Sequence, residues 1–253
     1  MDNEIDEDHY RSPFYLACKN EDIELVKEML EDTTIDVNWQ VFSCDMTGFM
    51  RACYKPKPNI ELISCLMNNN RINYNLRGIN GFTGFDMLIC DPNNIYNKHK
   101  ISEHKMTIIK ELMEDPRIDI SEGFESACFN GDIELIELLL NNNRVDPNIR
   151  NNYNNRTIFY KLCVYDTHYE TVKYLLNWSN IDVNMPDNNG ITPLMIACSN
   201  QNINIVKLLV NSDRININHH DEVIKNVFVN DNFNVFKKLV SLYGINIIHQ
   251  LLS

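Results

Sequence analysis

The sequence predicts an all-α solenoid of about seven helix-turn-helix repeats, and the clearest repeat occupies residues 190–210. There, Thr192 suits the N-cap of a first helix and Pro193 suits its first turn. Apolar residues then recur at helical spacing over 194–198 and again over 203–210. Each helix spans about 8 residues, fewer than the ~12–15 that an isolated helix needs in water. The pair therefore requires neighbouring pairs to cover its apolar faces.

Copies of this helix pair recur along the chain with a period in the thirties. The equivalent positions lie 35, 36, 39, 35, 35 and 30 residues apart, at Ala17, Ala52, Leu88, Ala127, Leu162, Ala197 and Val227. An apolar-Asp-apolar-Asn marker, or a close variant of it, lies at 35–38, 72–75, 118–121, 145–148, 181–184 and 215–218. A period of this length built from two short helices is typical of a solenoid, in which each repeat packs on its neighbours.

The sixth repeat carries a family resemblance. Its residues Gly190-x-Thr192-Pro193-Leu194-x-x-Ala197 and Ile203-x-Ile205-Val206-Lys207-Leu208-Leu209 resemble an ankyrin repeat. The resemblance extends from about Pro13 to Val240 and is weaker in repeats three, five and seven. The His that follows Leu in the family is replaced here by Tyr15, Met50, Tyr160 and Met195. The resemblance implies an all-α, ankyrin-type solenoid with irregular hairpin loops.

The repeat pattern divides the chain into three parts. We predict an acidic N-terminal lead at 1–11, an ankyrin-repeat array at 12–244 and a C-terminal capping segment at 245–253. The predicted repeats lie near 12–38, 47–75, 83–121, 122–148, 157–184, 192–218 and 222–244. Repeat three carries a loop insertion at 91–105. Repeat four lacks a hairpin, because only residues 122–125 separate Ser121 from its first apolar helical face.

Composition and charge narrow the function classes. The apolar fraction of 44% excludes general disorder, and no apolar run approaches the ~18 residues of a membrane span. The N-terminal residues are acidic and lack the apolar core of a signal peptide. We therefore expect an intracellular, cytoplasmic protein, and a nuclear location is also compatible. A net charge of −12 opposes nucleic-acid binding and favours a protein partner with a basic face.

Five of the cysteines share one repeat position, namely Cys18, Cys53, Cys128, Cys163 and Cys198. Equivalent positions on stacked helices lie roughly 8–10 Å apart, beyond the reach of a disulfide. Small, buried and reduced residues are the simplest interpretation of this pattern.

The sequence does not indicate catalytic or metal chemistry. His99 and His104 lie in the 91–105 insertion without a set of ligands to complete a metal site, so solvated loop histidines are expected. The chain has no nucleophile elbow, glycine-rich phosphate loop or zinc-protease motif. We predict no catalytic residue, no cofactor, no metal and no enzyme activity.

The resemblance implies that hairpin tips and the exposed side of the first helices form a partner-binding surface. The matching hairpin positions are Trp39, Gln40, Phe42, Arg77, Ile79, Asn80, Phe82, Arg150, Tyr153, Asn188, Asn189 and Ile191. The matching first-helix positions are Tyr54, Lys55, Phe129, Asn130, Ser199 and Asn200. Aromatic and Arg side chains anchor interfaces because they bury much surface at a small entropic cost. The alternative role for any one of these residues is packing of the hairpins on one another.

The resemblance also implies a modification. Ankyrin proteins are often hydroxylated at the Asn that ends the marker, which here would be Asn38, Asn148 or Asn184. This modification requires a hydroxylase in the same cell. The favoured alternative is that the Asn side chain hydrogen-bonds the hairpin backbone.

The predicted function is a non-catalytic protein-protein interaction scaffold, a monomer that binds a partner through its hairpin tips and concave helix face. A rigid stack holds the contact residues in place before encounter, which reduces the ordering cost of association. Three alternatives stay open. They are an adaptor or host-factor antagonist that recruits a second component through its insertion or C-terminal tail, an enzyme whose site lies in the insertion, and a structural spacer.

Overall fold

The computed structural model describes residues 12–42, 44–78, 81–90 and 101–216. The predicted lead at 1–11, repeat seven, the capping segment, Ile79, Asn80 and His99 lie outside the described residues. Regular structure in the described ranges is helical apart from one isolated bridge between Val41 and Met46, so the predicted all-α class is confirmed there. The chain divides into two compact units between Leu139 and Leu140.

Apart from the bridge between Val41 and Met46, the regular structure in the described part of the first unit is helical. In chain order the helices are α1 (Pro13–Asn20), α2 (Ile23–Glu31), α3 (Gly48–Cys53), α4 (Ile60–Met67), α5 (Gly84–Ile89), α6 (Glu103–Glu114), α7 (Ser121–Asn130) and α8 (Ile133–Leu140). Most begin after a side chain that accepts a backbone N–H of the first turn, as Ser12, Asp22, Thr47, Asn59 and Thr83 do. These caps replace bonds that the first turn of a helix cannot make internally.

Two predicted boundaries in the first unit are wrong. Helix α6 begins at Glu103 after the N-cap Ser102, so residues 103–105 of the predicted loop insertion are helical. Helix α7 begins at Ser121, so residues 122–125 belong to the helix and are not a connection. Both helices start with polar residues, which do not contribute to the apolar periodicity. The periodicity therefore placed the start of each helix too late in the chain.

His104 corrects a further expectation, because it is not a solvated loop residue. It lies in the first turn of α6 and is half-buried, and its Nε2 atom is 2.6 Å from the carbonyl oxygen of Pro58. The contact joins the start of α6 to the turn between α3 and α4.

The cysteines at the shared repeat position are buried and free, as predicted for Cys18, Cys53, Cys128, Cys163 and Cys198. Burial raises the pKa of the Cys18 thiol to about 12. A thiol with so high a pKa forms little of the reactive thiolate at neutral pH. These residues act as small apolar groups in the interior.

First helices of successive repeats in the first unit pack through a phenylalanine against a glycine. Helix α1 packs on α3, α3 on α5, and α5 on α7. A Cβ atom on the glycine would lie only 2.4–2.8 Å from the ring in the three pairs Phe14–Gly48, Phe49–Gly84 and Phe85–Gly123. Only hydrogen fits at these positions without displacing the ring. The recurring Gly-Phe dipeptide is a sequence signal for this packing, which the repeat spacing did not reveal.

Asp86 is a buried acid at the start of α5. Its Oδ2 atom accepts bonds from the backbone N–H of Thr83 at 2.9 Å and from the Thr83 hydroxyl at 2.8 Å. Its Oδ1 atom is buried without a hydrogen-bond partner among the described residues. Burial, with a smaller effect of Glu122, raises the pKa of Asp86 to about 6, although Thr83 and Arg77 act in the opposite direction.

We expect Asp86 to make the first unit less stable as the pH rises from about 5 to 8. The folded-state pKa of about 6 lies above the ordinary value of 3.8, so the folded state holds the proton more tightly than the unfolded chain. Its stabilising contribution is therefore complete below the ordinary pKa and is lost as the pH rises through the folded-state pKa. The loss across this interval is about 1 kcal/mol.

Urea denaturation of the wild type and of Asp86→Asn at both ends of the pH interval tests this expectation. The neutral amide should remove the pH-dependent loss, whereas Glu61→Gln, at an exposed position of α4, should retain it. An unchanged pH dependence in Asp86→Asn would show that Asp86 is not the group responsible.

The described part of the second unit contains four further helices and a short 3-10 helix. They are α9 (Ile158–Leu162), the 3-10 helix (Asp166–His168), α10 (Tyr169–Leu175), α11 (Pro193–Ser199) and α12 (Ile203–Val210). Thr157 and Thr192 cap α9 and α11. The predicted apolar faces are buried, at Leu162, Val172, Leu175, Ala197, Val206 and Leu209.

Asp187 holds the loop that precedes α11. Its Oδ1 atom accepts the backbone N–H groups of Asn189 at 2.9 Å and Ile191 at 3.1 Å. Its Oδ2 atom accepts bonds from Arg156 Nη2 and from the Tyr160 hydroxyl, each at 3.1 Å. Burial acts to raise the pKa of Asp187, but these hydrogen bonds outweigh it and lower the pKa. One buried carboxylate therefore connects two loops and α9.

Candidate partner-binding surface

The first hairpin displays two large aromatic side chains to solvent. Trp39 is 56% exposed and Phe42 is 82% exposed. Both were predicted as partner contacts from the resemblance to ankyrin repeats. Exposure of this extent means that these rings are not mainly packed between hairpins, which was the alternative role. Aromatic rings on a surface are the side chains that most often anchor protein interfaces.

The backbone that carries Trp39 and Phe42 is held from two directions. A bridge between Val41 and Met46 closes the hairpin, with a Val41 N to Met46 O distance of 3.1 Å. Gln40 Nε2 donates to the carbonyl oxygen of Asp45 at 3.0 Å and to that of Arg77, in the next hairpin, at 2.7 Å. The aromatic residues are thus positioned before any partner binds.

Several predicted contact residues in the first unit make intramolecular bonds that hold loops together. Gln40 has this role, and Arg77 Nη1 donates to the Gly81 carbonyl oxygen at 2.9 Å and pairs with Glu122. Lys55 pairs with Glu21 and donates to the Lys19 carbonyl oxygen at 2.9 Å. These polar side chains mainly hold the backbone of the surface in place, and they add little contact area to it.

The predicted contacts on the first helices are less accessible than expected. Asn130 was predicted to be exposed, but it is buried, because α7 continues to this residue before Gly131 ends the helix in a left-handed conformation. Asn200 is exposed and donates from Nδ2 to the Val164 carbonyl oxygen at 3.1 Å. The half-buried members of the predicted set are Gln40, Tyr54, Lys55, Phe82, Phe129, Arg150, Ile191 and Ser199.

In the second unit, one hairpin side chain is almost fully exposed. Tyr153 is 93% exposed, and its backbone carbonyl accepts a bond from Asn188 Nδ2 at 3.4 Å. Arg150 turns toward the next loop, with Nε 2.9 Å from the Met185 sulfur. Sequence reasoning missed Ile149, an apolar residue that is exposed on the same hairpin. Asn189 is exposed too.

The marker asparagines connect successive repeats. Asn38 Nδ2 donates to the Arg71 carbonyl oxygen, and Asn38 Oδ1 accepts the backbone N–H of Asn73, both at 2.7 Å. The same two bonds to the next marker recur at Asn75, Asn148 and Asn184. The side-chain amide therefore hydrogen-bonds backbone groups, as the alternative to hydroxylation predicted. Those groups belong to the next repeat, however, and not to the hairpin of the same repeat. Hydroxylation of Asn38, Asn148 or Asn184 stays a prediction.

Arginines at the start of the markers bind the preceding repeat, and sequence reasoning missed them. Arg71 Nη1 donates to the carbonyl oxygens of Leu30 and Asp32 at 2.9 Å. Arg214 Nη1 donates to those of Leu176 and Trp178 at 2.7 Å. A guanidinium can satisfy several carbonyls at a helix end because its donors point in fixed directions. The signal was the Arg that precedes four of the markers, at 71, 117, 144 and 214.

Within the described ranges, no cluster of three or more His, Cys, Asp or Glu side chains could hold a metal ion. None of the described helices combines the length and apolarity that a bilayer crossing requires.

Comparisons with known proteins identify the fold. A family model of ankyrin repeats, in three copies, matches residues 124–221. A chain in the structure of a predatory endopeptidase from Bdellovibrio bacteriovorus in complex with an immunity protein is 18% identical. Its TM-score is 0.55, over 79% of this chain and 97% of that chain. The human ASB11 ankyrin repeat domain is 20% identical with a TM-score of 0.51, over 82% of this chain and 86% of that chain. No curated protein sequence matches.

These similarities confirm the predicted ankyrin-type solenoid. The family match covers the predicted fourth, fifth and sixth repeats. The first unit contains the same succession of paired helices in residues 12–123, joined by the same marker asparagines. Residues 124–221 therefore match the ankyrin-repeat family, and the fold of the chain is similar to that of a known ankyrin repeat domain.

Proposed function

We propose that this protein is a non-catalytic interaction module that binds a partner protein through its hairpin tips and the adjoining face of its first helices. The observation that carries the proposal is the hairpin of Trp39 and Phe42, two exposed aromatic side chains on a backbone that Gln40 holds in place. Preorganised aromatic anchors desolvate a large area without a further ordering cost.

The comparisons support the same class of function. Ankyrin repeats are in general modules of protein-protein interaction, and one structural neighbour was solved in a complex with another protein. The net charge of −12 favours a partner with a basic face, because charge complementarity accelerates association and selects partners. We further propose a monomeric, cytoplasmic protein that binds neither nucleic acid nor membrane.

Replacement of Trp39 or Phe42 by alanine should weaken capture of the partner from the native cell by about tenfold or more. Neither change removes a buried side chain, so the free energy of unfolding should stay within about 0.5 kcal/mol of the wild type. Quantitative affinity purification with each variant, together with urea denaturation, measures both quantities.

Tyr165 offers a matched control, because it is an aromatic residue with the same 56% exposure as Trp39 but lies outside the hairpins. Tyr165→Ala should retain capture. Undiminished capture by Trp39→Ala and Phe42→Ala would instead support the structural spacer. Loss of one partner on deletion of 245–253, with another retained, would support the adaptor.

A further inference from the structure

The negative charge of the chain is concentrated in the first unit. Residues 1–139 contain 26 Asp and Glu residues against 13 Lys and Arg residues, a net charge of −13. Residues 140–253 contain 9 acidic and 10 basic residues, a net charge of +1. Long-range attraction for a basic partner therefore comes from the first unit alone.

The hairpin of Trp39 lies in a stretch of that unit without a basic residue. Residues 28–50 contain five acids and no Lys or Arg. Two of the acids, Asp36 and Asp45, belong to the hairpin and are exposed. Among the described residues, neither carboxylate is paired with a lysine or an arginine. The hairpin thus presents negative charge together with the exposed indole ring of Trp39.

Backbone contacts place Trp39 between these two acidic residues. The Trp39 N–H donates to the Asp36 carbonyl oxygen at 3.4 Å. On the other side, the Asp45 carbonyl oxygen accepts a bond at 3.0 Å from the side chain of Gln40, the residue next to Trp39. The Asp45 N–H donates to the Val41 carbonyl oxygen at 2.7 Å. One closed loop of backbone therefore carries the ring and both carboxylates.

Two arginines of the following repeat lie near this loop, but their guanidinium groups are bound elsewhere. Arg71 lines a polar cleft of about 260 Å³ with Asp36, and it donates to carbonyl oxygens of the preceding repeat. Arg77 pairs with Glu122. The charge of Arg71 still offsets part of the charge of Asp36, so we expect Asp45 to attract a cation more strongly than Asp36 does.

The exposed hairpin of the second unit has the opposite charge. Ile149 and Tyr153 are exposed there, as Trp39 is in the first unit. Residues 147–165 nevertheless contain three Lys and Arg residues and no acid. Of these two hairpins, only that of Trp39 combines an exposed aromatic ring with carboxylates.

An aromatic face between carboxylates suits the chemistry of an arginine side chain. A guanidinium can stack on an indole ring and pair with a carboxylate at the same time, because its donors lie in one plane. An ammonium group is a compact and strongly hydrated charge, so it gains less from the ring. An acidic segment would place like charges together, which opposes binding.

We propose that this hairpin binds an arginine-containing, basic segment of the partner protein, with a guanidinium on the ring of Trp39 and paired with Asp45. That the segment belongs to a partner protein rests on the proposed function, whereas the binding of arginine does not. The basic face expected of the partner is thereby assigned to one hairpin of the first unit.

Titration of the whole protein, labelled with nitrogen-15, tests the proposal without the partner. A capped five-residue peptide that alternates arginine with alanine should shift the Gln40 and Val41 amide resonances saturably, with a dissociation constant of about 1 mM or tighter. The Tyr153 amide resonance should not shift. The same peptide with lysine should bind at least about threefold more weakly, and the peptide with glutamate should produce no saturable shift.

Trp39→Ala and Asp45→Asn should each weaken binding of the arginine peptide by about threefold or more. Asparagine tolerates the left-handed φ of +50° at position 45 as aspartate does, so Asp45→Asn removes the charge and retains the backbone. Glu134→Gln is the matched control, because it removes one exposed carboxylate of α8 and changes the net charge equally. Tyr153→Ala, which removes an exposed ring of the second unit, should bind the peptide as the wild type does.

Several results would overturn the proposal. They are the absence of a saturable shift in the wild type, equal binding of the lysine or glutamate peptide, and wild-type binding by Trp39→Ala. An equal loss in Glu134→Gln and Asp45→Asn would overturn it too, because attraction to the net charge would then explain the binding.

Capture of the partner from the native cell separates this proposal from the proposed function. Capture that requires Trp39 but is unchanged in Asp45→Asn would retain the interaction module and overturn the basic segment. Peptide binding together with undiminished capture by Trp39→Ala and Phe42→Ala would overturn the interaction module and retain the arginine site.

Discussion

Replacement of Asp187 by alanine should lower the free energy of unfolding of the second unit by about 3 kcal/mol. The change removes the acceptor for the backbone N–H groups of Asn189 and Ile191, and for the side chains of Arg156 and Tyr160. Donors that lose their partner in the interior keep the cost of desolvation without the compensating bond. Urea denaturation followed by circular dichroism measures the loss.

The controls for Asp187 separate its hydrogen bonds from its charge and from general effects. Asp187→Asn keeps one carbonyl acceptor and should lose less stability than alanine does. Asp213→Ala, at an exposed position of the same unit, should stay within about 0.5 kcal/mol of the wild type. Hydrogen exchange should show faster opening of the Ile191 amide in Asp187→Ala. Unchanged exchange and stability would mean that water replaces the carboxylate at little cost.

Replacement of Gly84 by alanine should destabilise the first unit by about 2 kcal/mol. Alanine normally favours a helix over glycine by up to about 1 kcal/mol, so a loss requires a specific clash. The new Cβ would lie 2.5 Å from the buried Phe49 ring. That ring packs edge-on against Tyr74, with centroids 5.1 Å apart, and the Tyr74 hydroxyl donates to the Asn69 carbonyl oxygen at 2.9 Å. The ring therefore has little room to move.

A double-mutant cycle identifies the clash. Phe49→Leu should cost stability on its own, but Gly84→Ala should cost much less in its presence, because the smaller side chain admits the methyl group. Gly81→Ala is the control: nothing lies within 4 Å of its Cβ, and its φ of +79° strains any other residue. Phe49→Leu should leave the effect of Gly81→Ala unchanged. Additive effects of Gly84→Ala and Phe49→Leu would contradict the Phe-Gly packing.

The helix pairs and their buried faces were predictable because they follow from local sequence. Thr47 and Thr192 each bond a backbone N–H three residues ahead, so a cap can be recognised in a window of four residues. Burial of Cys53 and Ala197 followed from the recurrence of the pattern alone. The errors at the starts of α6 and α7 arose where polar residues begin a helix.

The roles of the candidate contacts were less predictable, because they depend on residues far along the chain. Gln40 bonds the backbone 37 residues ahead, and Asn38 bonds the backbone 33 residues ahead. From sequence, both residues matched partner-contact or modification positions. Trp39 was predicted as a partner contact from its position in the same way, but its side chain is exposed to solvent.

Local sequence was sufficient to show that this chain is a series of short helix pairs that need one another, because caps, apolar spacing and helix length are local properties. Tertiary structure alone decided which loop residues support the stack and which face solvent. The physical reason is that each repeat completes its hydrogen bonds with its neighbour. A polar side chain at a hairpin is available to a partner only when no carbonyl or amide of the next repeat has already bound it.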